Sequence, residues 1–175
     1  MGHPAVSTGR TAQCLYRAGD FGKRPAGHRG PESIIHPFTH ELLAERGYLY
    51  SSSMKDCDWA YLWEKDQKEL PLVELPNDIT MDDFTYYYFT FSDPAVRCMY
   101  PNREVFGNWK HEFDGLALEG NKIFILKLHP QMIGRASRIG MVGEFIAYMQ
   151  NHGAWITTCE DVARYVQKQN GGNRA

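Results

Sequence analysis

The chain has 175 residues, 43% of them hydrophobic, and a formal net charge of -2 at pH 7. That is enough for one well-buried core, and it leaves no excess positive charge for a nucleic-acid partner. No stretch approaches the roughly 20 apolar residues that span a bilayer, and "MGHPAVSTGR" lacks a signal-like apolar run, so a cytoplasmic domain without a membrane partner is expected.

Residues 1–20 are rich in Gly, Ser, Thr and Arg with little periodicity beyond the short "TAQCLYRAGDF", and read as an irregular N-terminal segment. Four cysteines, Cys14, Cys57, Cys98 and Cys159, form no CxxC pair, so they read as isolated reduced thiols. From His36 the pattern becomes regular. Pro37 suits the first turn of a helix, Phe38, Leu42 and Leu43 share one side, and Gly47 ends it. "YLYSSS" reads as a short strand. The polar and aromatic excursion "MKDCDWAYLWEKDQ" separates it from a second strand, "LPLVELP" at 70–76, which Pro76 stops.

The aromatic run "FTYYYFTF" at 84–91 suits a sheet or a lined cleft. Residues 103–118 predict a helix with Val105, Trp109, Phe113 and Leu116 on one face. "KIFILKLHP" is apolar on both alternating faces, as a covered parallel strand requires. An amphipathic helix follows, with Ile139, Val142, Phe145, Ile146 and Met149 at helical spacing and an end near Gly153. "AWITT" reads as a final strand, and Thr158 caps a last helix, "CEDVARYVQKQ". This alternation predicts α/β architecture with a largely parallel sheet. Residues 169–175 read as a flexible tail.

Two features look like chemistry. In "HPFTHE", His36 and His40 stand four residues apart and Glu41 follows, a spacing that zinc hydrolases use. His129 directly follows an apolar strand and precedes Pro130. In α/β folds reactive groups collect beyond the C-terminal ends of strands, and histidine suits proton transfer near neutral pH.

Five blocks, "GKRPAGHRGPE", "THELLAERGYLYSSSM", "LVELPNDITMDD", "IFILKLHPQMIGRASR" and "WITTCEDVARYV", resemble in order and spacing the C-terminal half of a polysaccharide deacetylase domain, the NodB-homology group of carbohydrate esterases. The branch with peptidoglycan deacetylase-like and allantoinase-like members is the most similar. The resemblance covers residues 21–168. It implies a distorted (β/α) barrel, here partial and lacking its N-terminal strands, and a metal-dependent hydrolase of amide bonds such as the N-acetyl group of an amino sugar. Zinc or another divalent metal is implied for the intact domain.

By the same resemblance, Arg29 corresponds to an arginine that orients the catalytic aspartate, and His129 to the histidine that protonates the leaving amine. Asp82 and Asp83 stand where this branch has an acidic pair, either in contact with substrate or at a solvated loop or helix start. Arg135 reads as a helix-start residue that orders the His129 loop. Ile79 replaces an aromatic residue common in the family. His36 and His40 fall in the wrong block for the family's histidine pair. The family's metal-binding aspartates and H-x-x-x-H motif have no counterpart in this sequence, so the expectation is a truncated or degenerate member that does not hold the metal and is inactive alone. The alternatives are an amidohydrolase of allantoin-like cyclic amides and a binding module without catalysis. A small-molecule or carbohydrate substrate and homo-oligomers are the partners in view.

Overall fold

In a computed structural model, residues 22, 24–90 and 99–172 are described. The N-terminal segment 1–20, with Cys14, and Cys98 lie outside the described residues. Among the described residues four strands form one open sheet: β1 Gly27–His28, β2 Tyr50–Ser51, β3 Tyr61–Lys65 and β4 Lys68–Glu74, in the order β1-β2-β4-β3. β1 pairs with β2 and β2 with β4 in parallel, while β3 and β4 form an antiparallel hairpin. The hairpin was not anticipated, because its turn is Asp66–Gln67, both at positive φ, a geometry that usually announces itself by Asn-Gly or Asp-Gly.

Helix α1, Thr39–Glu45, joins β1 to β2. Gly47, at φ 67°, lets its own N–H reach Ala44 O and the Tyr48 N–H reach Leu43 O, a Schellman ending. Tyr48 and Leu43 then pack together with Leu72 beneath the helix. Phe38 and Leu42, expected on that buried side, are exposed. On the opposite face of the sheet Val73 and Leu75 meet Ala163 of α6, Cys159–Gly172. Thr158 does cap α6, accepting from Asp161 N–H at 3.2 Å. The helix runs through Gly172, so part of the expected tail is helical, and 173–175 lie outside the described residues.

The largest core joins α3, Asn102–Glu119, to α5, Ala136–Asn151. Phe145 sits at its centre, with the rings of Phe106, Trp109, Phe113 and Phe124 around it. Of the predicted α5 face, Val142, Phe145 and Met149 are buried, while Ile139 and Ile146 are exposed. "FTYY" forms no strand. It makes the short helix α2, Asp83–Tyr87, because the Asp82 carboxylate accepts the Phe84 N–H and starts a turn.

Residues 123–128 and 154–158 are not ladder strands, contrary to the pattern. Among the described residues, 123–128 makes one isolated parallel bridge, Asp82 with Lys127. A strand needs a neighbour's backbone as well as its own periodicity. The alternation survives in the packing all the same: Phe124 and Leu126 join the α3–α5 core, and Ile123 and Ile125 join the α6 side. Trp155 and Ile156 stay exposed. No helix among the described residues is long and apolar enough to cross a membrane.

Candidate functional site

The sheet's C-terminal edge carries the polar residues. His129 is the N-cap of the short helix α4, Pro130–Ile133, with extended backbone. The ring of Pro130 excludes the helical conformation at the residue before it, so "LHP" turns His129 off the end of its segment. Gly134 closes that turn: a Cβ there would lie 2.5 Å from Pro130 O. Arg138 then ties the turn to α5, donating to Met132 O at 2.8 Å with its guanidinium 3.8 Å from the Tyr87 ring centre. The ordering role expected of Arg135 thus belongs to Arg138, one helical turn on. Arg135 is exposed and caps α5 without a side-chain bond.

Asp83 is fully buried and lies under His129. Its Oδ2 accepts the His129 backbone N–H at 2.9 Å and its Oδ1 lies 2.6 Å from Nδ1. With the carboxylate as acceptor, Nδ1 carries the proton, and Nε2 is the nitrogen left for chemistry. The ring, 37% exposed, is flanked by Phe84 at 5.1 Å between centroids. Asp82 is the neighbour expected to share the site. Its Oδ1 caps Phe84, 3.5 Å from His129 Nδ1, and its Oδ2 receives Lys127 Nζ at 3.0 Å. Both acidic residues therefore stand at a helix start, one of the two readings the sequence left open, and both also lie beside His129.

Arg29 lies on the same edge, after β1. Its Nε donates to Ser52 O at 3.0 Å and its Nη2 to Ser52 Oγ at 2.8 Å. Sequence reasoning missed what connects it to His129. Asn77 donates to the same Ser52 O at 3.0 Å and accepts from Lys127 Nζ at 2.8 Å, and Lys127 reaches Asp82. The signal was available: Asn77 and Lys127 are polar residues at the ends of apolar runs. A cavity of about 240 Å³ lies beside this chain of contacts, with Asn77, Asp56, Asp58 and Glu112 in its wall. Neither His129 nor Arg29 lines it, so the cavity is not where this chemistry sits.

His36 and His40 do not converge. His36 is exposed, whereas His40 is 1% exposed and its Nε2 meets Glu74 Oε2 at 3.0 Å. Asp82, Asp83 and His129 offer the one set of three donor atoms among the described residues within 4.8 Å of one another. They do not fit a divalent cation. Asp83 has both oxygens engaged by His129, Asp82 caps a helix, and the Lys127 ammonium stands in salt-bridge contact with Asp82, where it repels a second positive charge.

No protein-family model matches the chain. A peptidoglycan deacetylase-like protein of Gibberella zeae is 28% identical over 82% of this chain and 52% of its own length. A putative polysaccharide deacetylase from Mycobacterium smegmatis superposes with a TM-score of 0.79 at 27% identity, over 91% of this chain and 55% of that one. A probable polysaccharide deacetylase from Pseudomonas aeruginosa gives 0.75 at 25% identity, over 97% and 57%. An allantoinase, PuuE, shares the fold with a TM-score of 0.73 at 24% identity, over 94% and 55%. The chain spans about half the length of these relatives.

Proposed function

We propose, from this likeness to the NodB-type polysaccharide deacetylases, that the chain carries the proton-donating half of a hydrolase acting on the amide bond of N-acetylated carbohydrate. The observation that supports it is the buried Asp83 beneath His129. A carboxylate fixed on Nδ1 holds the ring's orientation and tautomer and faces the positive charge that the ring carries when Nε2 is also protonated. Nε2 is then the atom that delivers a proton to the departing amine as the C–N bond breaks.

Asp82 and Lys127 shape the polar floor beside the ring, and Asp82 is the member of the acidic pair with surface to offer a substrate hydroxyl. Asp83, with no exposed surface, acts through His129. Arg29 is held by Ser52 at the same edge, and orients an acidic group of the complete site. The base and the activated water are not supplied by the residues described, so turnover by this chain alone is not expected.

Acetate release from N-acetylated chito-oligosaccharides tests the reading, with the longest reading frame containing this chain as the enzyme and allantoin as a parallel substrate. Acetate from the oligosaccharide supports it. Hydrolysis of allantoin alone replaces the substrate class, and no hydrolysis of either removes the proposal.

A further inference from the structure

Glu74 ends β4 and is 0% exposed, and a buried carboxylate is costly unless it is paired and hydrogen-bonded. Its Oε2 faces His40 Nε2, while Oε1 accepts two backbone N–H groups, from Ser53 at 2.7 Å and Met54 at 2.9 Å. His40 is clamped in turn, its ring stacked on Trp63 with centroids 3.7 Å apart. The turn so held touches the site throughout. Ser52 O receives Arg29 and Asn77, Ser52 Oγ receives Arg29, and Ser53 Oγ receives the Gly30 N–H at 3.0 Å.

We propose that His40 and Glu74 are a buried positioning pair that fixes the turn at residues 52–54 and through it Arg29 and Asn77. A pair of apolar residues of similar volume would fill the same space. It would leave the Ser53 and Met54 N–H groups without an acceptor, and the turn free to move. One carboxylate thereby sets the ends of three segments: β1 through Gly30 and Arg29, β2 through the turn, and 123–128 through Asn77 and Lys127. The inference rests on the proposed function only for what the positioned residues do.

The pair also has a pH signature. Burial alone would raise the Glu74 carboxyl, but the His40 bond and the Met54 and Ser53 N–H groups outweigh it and hold it below its ordinary value of 4.5. The charged and titratable groups that face it are His40 from α1, His28 from β1 and Tyr61 from β3.

The test is nuclear magnetic resonance of the full chain, read at the Ser53 and Met54 amides and the Arg29 Nε–H. E74Q, with H40Q as a milder variant, is compared with L43A, which loosens the same helix without touching the pair. Loss of the charge-assisted bonds is expected to move both amides and to speed exchange of the Arg29 Nε–H about tenfold in E74Q, with L43A unchanged. Unchanged Arg29 exchange in E74Q, or equal change in L43A, overturns the inference. If E74Q does not fold, acid titration of the native chain decides: the three signals shift together with one midpoint below 4.5. Separate midpoints, or an Arg29 signal that stays still, contradict it. No turnover is read, so the outcome is independent of the hydrolase reading.

Discussion

His129 donates to Asp83 twice, from its backbone N–H and from its ring Nδ1, so one buried carboxylate fixes both the position and the tautomer of the imidazole. Asp83→Asn keeps the shape and loses the charge. In the acetate-release assay, kcat is expected to fall on the order of 10²-fold with KM nearly unchanged, because proton transfer suffers and substrate contact does not. A rise in KM at constant kcat would show that Asp83 touches substrate instead.

Acid should unfold the chain in two stages. Burial and the neighbouring His40 hold His28 below its ordinary 6.5, so the unfolded state binds that proton first and stability falls as pH drops below 6.5. Glu74 adds stability that is fully present above 4.5 and is lost as pH falls through its lower folded value. The thermal midpoint is therefore expected to be flat above neutrality, to decline below 6.5 and to fall more steeply below 4.5. His28→Asn should remove the first stage, which thermal scans across pH would reveal.

Zinc should not stabilise this chain. A ligand bound only by the folded state raises stability by about 2.7 kcal/mol at 100 times its dissociation constant, and the midpoint rises with concentration. The engaged donors around His129 predict no rise with added zinc and no fall with chelator, measured by differential scanning fluorimetry. A concentration-dependent rise would mean that Lys127 moves aside and Asp82 becomes a ligand.

Trp109 is fully buried between α3 and α5, and its Nε1 donates to Thr80 O at 3.0 Å, just before the acidic pair. Trp109→Ala should cost about 3–5 kcal/mol of stability. Trp109→Phe keeps most of the packing and loses the bond, at roughly 1 kcal/mol. Denaturant unfolding of both variants separates the two contributions.

Helices were legible where local signals agreed. α3 and α6 have periodic apolar faces and clear ends, and both appear within a few residues of expectation. Strands fared worse for a physical reason. The run at 123–128 has the right alternation, but a ladder depends on backbone from elsewhere, and one bridge is what it finds among the described residues. His129 was singled out by its place after an apolar run, and the likeness in fold to the deacetylases agrees with the five blocks. Asn77 and Lys127 each stood out as a polar residue at an apolar run, but their pairing was not legible, because residues 50 apart reveal a contact only once folded. "HPFTHE" misled in the opposite way: helical spacing placed His40 against a carboxylate from β4, so a metal-like pattern became a core pair.

The most direct measurement is acetate release from an N-acetylated chito-oligosaccharide by the longest reading frame that contains this chain, native against His129→Ala. A positioned proton donor contributes about 10²–10⁴-fold, so the variant is expected to lose that much in kcat while remaining folded. Native-like acetate release from a folded His129→Ala protein would contradict the account.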